Sequence, residues 1–170
     1  MINELTKAIK AHLTQALEQF VLRVPSARGA GEYAPPAVFL GALPPKLRPD
    51  QPEGFPYLVV RATGGEIEQE GEFTFETVEV ALICGVYSEE SVEAGEQEVI
   101  NLARACLAAL QRARTLGGRF ELLSLSWFKP EEQNPPYYQA RVETRWRFLE
   151  PPAGLDPEME IETYGSGYQA

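Results

Sequence analysis

The chain reads as an α+β layer fold, an antiparallel or mixed sheet of about four to five strands with two amphipathic helices packed on one face. Three observations predict this. Apolar residues recur at helical spacing in two stretches, one at the N-terminus and one after residue 95. Runs rich in β-branched and aromatic residues come in pairs, as hairpins do. The last of these runs, 137–148, keeps an unbroken period-2 alternation. A chain of 170 residues suits one domain, expected over 1–150, followed by an acidic C-terminal tail over 151–170.

The first helix is expected over 2–20, where Ile2, Leu5, Ile9, Leu13, Leu17 and Phe20 form one apolar stripe and Lys7, Lys10, Gln15 and Glu18 take other faces. Pro25 ends it. The stretch 23–54 is rich in Pro, Gly and Ala. Proline cannot donate to a ladder and restricts the residue before it, so a long, mostly irregular loop is expected here, with a short edge strand at 37–43. Long loops inside compact domains tend to carry function.

A strand follows at 56–63, and Gly64 and Gly65 permit a turn. The polar run 66–72 reads as the tip of a long hairpin. Its return strand, 73–87, switches parity: Phe73 and Phe75 on one face, Val78, Val80, Leu82, Cys84 and Val86 on the other. Such a switch means a bulge near Glu76 and Thr77 or a section buried on both faces. The second helix is expected over 95–114, with acidic residues at its start, Arg112 and Arg114 at its end, and Gly117 and Gly118 as the stop. The strand at 120–128 carries Leu123, Leu125 and Trp127 in alternation. In 137–148, Tyr138, Ala140, Val142, Thr144, Trp146 and Phe148 line a core face, and Arg141, Arg145 and Arg147 mark a basic opposite face.

The net charge of −10 argues against nucleic-acid binding, which draws its affinity from Lys and Arg. The charge is also segregated. Residues 66–98 hold eleven acidic side chains and no basic one, 99–147 hold eight basic and four acidic, and 148–170 hold five acidic and no basic. Solvated faces explain this simply. The sharper reading is that acidic and basic faces meet in neighbouring copies. Candidate interface residues are therefore Glu66, Glu68, Glu70, Glu72, Arg141, Arg145 and Arg147, together with Phe73 and Phe75, an exposed apolar pair expected where the hairpin projects beyond the sheet. The segment 158–164 is a further candidate strand for pairing with a neighbour.

Catalytic patterns are missing. His12 is the single histidine, and Cys84 and Cys106 lie far apart in apolar patterns, so no Ser-His or Cys-His triad and no Cys/His metal spacing emerges. No phosphate-binding GxxxxGK[ST] loop and no GxGxxG fingerprint occurs. Paired glutamates sit in polar turns, where solvent exposure is the default. No catalytic residue, cofactor site or metal site is expected, and the cysteines are expected to be buried thiols. The N-terminus lacks the continuous apolar stretch of a signal peptide, and no run is long enough to span a membrane.

The order and spacing of these elements resemble one known family. The carriers are an N-terminal helix, a Pro-containing connection, Phe-Pro-Tyr-Leu-Val-Val at 55–60, a long strand ending Val-Ala-Leu-Ile-Cys-Gly-Val-Tyr-Ser at 80–88, a short acidic stretch, the helix at 95–110 and a closing hairpin. Together they cover 3–148, and the pattern is similar to the tail-terminator (tail-completion) proteins of long-tailed bacteriophages. That resemblance implies a non-enzymatic structural role. It implies a hexameric homo-oligomeric ring that caps the tail tube and offers the head-joining surface, with tube and head-completion proteins as partners. DNA passes through such a ring without being specifically bound. The implied location is the bacterial host cytoplasm during assembly and then the virion tail. Other readings are another head-tail joining or minor tail protein and, from a different class, a small-ligand or regulatory binding module.

Overall fold

A computed structural model describes residues 1–25, 32–44 and 54–148. The acidic tail, the candidate strand at 158–164 and two parts of the Pro-rich stretch, 26–31 and 45–53, lie outside the described residues. The class is α+β, as read from the sequence. In chain order the elements are α1 (Ile2–Ala16), β1 (Leu22–Val24), β2 (Glu32–Ala34), β3 (Ala37–Leu40), β4 (Tyr57–Glu70), β5 (Phe73–Tyr87), α2 (Val92–Ala113), β6 (Thr115–Leu116), β7 (Phe120–Phe128) and β8 (Tyr137–Phe148).

The main sheet has six strands in the order β3-β4-β5-β8-β7-β6, and β1 pairs with β2 in a separate two-stranded sheet. The expected four to five strands therefore fall short. The extra strands are very short, and the Pro-rich stretch hides two of them: Glu32–Ala34 folds back antiparallel on Leu22–Val24. The expected edge strand is present as β3, which runs parallel to β4 and makes the sheet mixed. Every other pairing in the main sheet is antiparallel.

Both helices cover one face. Leu5, Ile9 and Leu13 of α1 and Val99, Leu102, Cys106 and Leu110 of α2 are fully buried against Leu58, Val80, Leu82, Val142 and Trp146 of the sheet. Each such aliphatic side chain contributes roughly 1.5–3 kcal/mol of burial. α1 stops at Ala16, four residues earlier than its stripe suggests, because Leu17 leaves helical geometry at φ −102°. A turn closed by Phe20 N–H donating to Leu17 O (3.0 Å) still delivers Leu17 to the core. Ile2 is exposed, so the stripe begins one turn later than expected.

In α2 the cap is Ser91, whose Oγ accepts from Ala94 N–H at 3.0 Å. Glu93 in the first turn and Arg112 in the last suit the helix dipole. The helix stops at Arg114, which takes a positive φ of 56°. Gly117 and Gly118, expected to supply that stop, form the β6–β7 turn instead, both at positive φ.

No turn forms at Gly64 and Gly65. β4 runs through them to Glu70, and Gly71, at φ 63°, carries the hairpin turn. What happens near Gly64 is a bulge: Ala62 pairs with Val80 and Gly64 with Glu79, leaving Thr63 unopposed. The bulge anticipated at Glu76 and Thr77 of the return strand thus lies on the opposite strand. The other alternative for β5 holds in its later half, where Val80, Ala81, Leu82, Cys84, Val86 and Tyr87 are buried on both faces. A second bulge falls between Leu122 and Ser124 of β7. It displaces Leu123, and both Leu123 and Trp127 are substantially exposed, against the simple alternation expected of that strand.

Candidate interaction surface

The sheet face away from the helices is built by parity. On β8 it carries Tyr137, Gln139, Arg141, Glu143, Arg145 and Arg147, and on β5 their partners Tyr87, Gly85, Ile83, Ala81, Glu79 and Thr77. On β4 the same face holds Tyr57, Val59 and Arg61 before the bulge. Thr63 then shifts the parity by one, so Glu66, Glu68 and Glu70 follow on this face. Without that extra residue the glutamates would point to the helix side. The bulge is what brings the acidic run beside the basic strand within one chain.

Arg145 is the meeting point. Its Nη2 contacts Glu68 Oε1 and lies 3.4 Å from Glu66 Oε2 and 3.4 Å from Thr77 Oγ1. Arg147 pairs with Glu121 of β7, Nε to Oε2 at 3.0 Å, and its guanidinium lies 5.2 Å from the centroid of the Phe75 ring. Arg141 sits at the far end of the row, its Nε 3.0 Å from Glu143 Oε1 in an orientation that makes no hydrogen bond. These side chains are partly exposed, so each pair contributes at most about 1 kcal/mol.

Among the described residues β5 pairs with β8 no further than Thr77, so 67–76 is a two-stranded ribbon beyond the main sheet. Phe73 is 70% exposed on its outer face and Ile67 is 72% exposed on the other. Phe75, paired in the sequence reading with Phe73 as an exposed apolar side chain, is instead partly covered by Arg147. Ile67 takes its place as the second exposed apolar group, and the sequence signal was slight: one isoleucine within Glu-Ile-Glu-Gln-Glu-Gly-Glu. Of the nine candidate interface residues, Glu66, Glu68, Phe75, Arg145 and Arg147 converge on one network. Glu70, Glu72 and Phe73 extend along the ribbon, and Arg141 stands apart.

The other end of this face is aromatic. Phe55 stacks at 4.8 Å on Tyr57 and 4.9 Å on Tyr137, and Tyr137 lies 5.7 Å from Tyr87. Gln139 Nε2 donates to the Tyr57 hydroxyl at 2.8 Å. Beside these rings is an open cleft of about 690 Å³, lined by Phe55, Tyr57, Gln133, Asn134, Tyr137 and Gln139 among others. The period-2 pattern does not reveal this cluster, because it occupies the second buried face of β4 and β5.

Candidate chemistry is scattered. His12 is held on the helix layer, its Nε2 3.0 Å from Ala109 O, across the sheet from the cleft. Cys84 and Cys106 are free, fully buried in the helix-side core and close enough to interact. A hydrogen bond to Cys106, with burial, pushes the Cys84 thiol well above its ordinary value, which leaves it protonated. Among the described residues no group of three His, Cys, Asp or Glu side chains is placed to hold a metal ion, and no helix is long and apolar enough to cross a membrane. No family model matches this chain, and no curated protein does.

Proposed function

We propose that the protein is a structural ring component of a long-tailed phage particle, a tail terminator that caps the tail tube and presents the head-joining surface. The reading rests on the element order that resembles that family, and one observation carries it furthest: the ribbon 67–76. Two exposed apolar side chains, Ile67 and Phe73, stand on opposite faces of a projection that also carries Glu68, Glu70, Glu72 and Glu76. On a projecting ribbon, one such side chain on each face offers an apolar anchor to a neighbouring protein on either side. Copies meeting head to tail through two different patches close into a ring when the rotation allows.

Ile67→Ser together with Phe73→Ser tests it. Both side chains are already in water in the single chain, so folding stability should change little. Assembly and addition to tail tubes should be lost. A variant that assembles and caps tubes like the native protein overturns the assignment of the ribbon.

A second reading, a small-ligand binding module, is favoured by the aromatic cleft of about 690 Å³, whose size falls in the range of ligand pockets. Saturable binding of a small molecule by a strict monomer would support it over the first.

A further inference from the structure

The sheet has an open edge. β6 covers β7 only at Phe120 and Glu121, and Leu122 N–H reaches Arg114 O at 2.8 Å. From residue 123 to 128 β7 pairs on one side with β8, and among the described residues nothing bonds to its other side. The edge is not blunted by proline or by a charge within it. It displays Leu123, Trp127 and Phe128, between 41% and 48% exposed. Such a strand is a template for another strand.

We propose that residues 158–164 of the same chain add to this edge as a further strand of the sheet. In Glu-Met-Glu-Ile-Glu-Thr-Tyr, residues 158–163 alternate acidic with apolar or neutral side chains at period 2, and Tyr164 closes the segment on the glutamate parity. Its two sets match the two sides of the edge. On the helix side β7 presents Leu125 and Trp127, opposite Thr144 and Val142 of β8, which suits Met159 and Ile161. On the outer side β7 presents the small Ser124 and Ser126, opposite Arg145 and Glu143 of β8, and then Phe128, opposite Arg141. Glu158, Glu160 and Glu162 would then take the outer, solvent-facing side, where Arg145 is the cation across Ser124.

The position where β8 ends selects the same chain rather than a neighbour. Phe148 pairs with Phe120, at the head of the strand to be covered. The new strand would lie two strand spacings from β8, about 10 Å. The nine residues 149–157 reach up to ~30 Å when extended. A short tether of that kind holds the segment at an effective concentration on the order of millimolar, which favours capture within the chain. The inference stands on the edge and the tail, independently of whether copies assemble.

Amide hydrogen exchange on the full-length protein tests it, comparing the native chain with Met159→Lys/Ile161→Lys at two protein concentrations. The amides of 123–128 that face away from β8 should exchange roughly tenfold or more slowly in the native chain than in the variant, independently of concentration. The amides bonded to β8 should be unchanged, which reports that the variant is folded. Rapid exchange of the edge in the native chain overturns the proposal, as does protection that survives the double substitution. Protection lost on dilution would assign the covering strand to another copy and also overturn it.

Discussion

The ring of Tyr138 rests directly on the Cα of Gly95. A Cβ built on that glycine would lie 2.1 Å from Cε2 of the ring. Tyr138 is 1% exposed on the core face of β8, so this contact fixes how closely the first turns of α2 approach the centre of the sheet. Gly95→Ala should therefore destabilise the fold by about 1–3 kcal/mol, the usual cost of overpacking, even though alanine is the better helix former. Urea unfolding measures it, and a neutral or stabilising alanine would mean the helix sits farther from the sheet.

Trp146 is fully buried between the helices and the sheet, and its Nε1 donates to Thr144 Oγ1 at 2.7 Å. Thr144 in turn donates to Val80 O at 2.8 Å. Trp146→Ala should cost roughly 3–5 kcal/mol, as emptying a large aromatic site does. Chemical denaturation checks this, and a loss below about 1 kcal/mol would place the ring outside the core, where substitutions cost little.

Arg145 tests the opposite face. Arg145→Glu puts a carboxylate beside Glu66 and Glu68 of its own chain. The pairs are partly exposed, so the loss of folding stability should be modest, about 1 kcal/mol. Hairpin geometry should respond more than global stability, with faster amide exchange across 66–77. Arg145→Lys should restore most of it. Destabilisation as large as that of Trp146→Ala would contradict the surface assignment.

Glu98 carries a pH signature. Burial, then the nearby Glu90 carboxylate, raise its affinity for a proton above the ordinary value of 4.5, and Arg23 partly offsets this. One carboxylate oxygen, Oε2, is buried without a hydrogen-bond partner. With the folded value above the unfolded one, the native state binds more protons between the two, so this group lowers stability as pH rises through that window. Glu98→Gln should raise Tm at pH 7 and leave it nearly unchanged well below pH 4.5, where the carboxyl is protonated in both the folded and the unfolded state. A variant equally stabilised at both pH values would rule out titration as the cause.

The legible parts of this fold were those where one period rules. The alternation of 137–148 marks the two faces of β8 and the burial of Trp146, and the apolar stripes mark both helices to within a few residues. Two kinds of feature were not legible. Bulges at Thr63 and Leu123 change which face a residue takes, and a single extra residue leaves no compositional mark. The two-sided burial of β5 hid the aromatic cluster of Phe55, Tyr57 and Tyr137, because alternation cannot separate two cores on one strand. The candidate interface followed the same division. Charge segregation pointed to Glu66, Glu68 and Arg145, but not to their pairing within one chain.

The role proposed for this chain is assembly with itself and with a tail tube. Native mass spectrometry of the full-length protein across concentration, with and without purified tail tubes, tests it most directly. One closed oligomer is expected, hexameric by the family resemblance, either free at high concentration or formed on the tube end, and lost in Ile67→Ser/Phe73→Ser. A strict monomer at all concentrations that also leaves tube ends uncapped would contradict it.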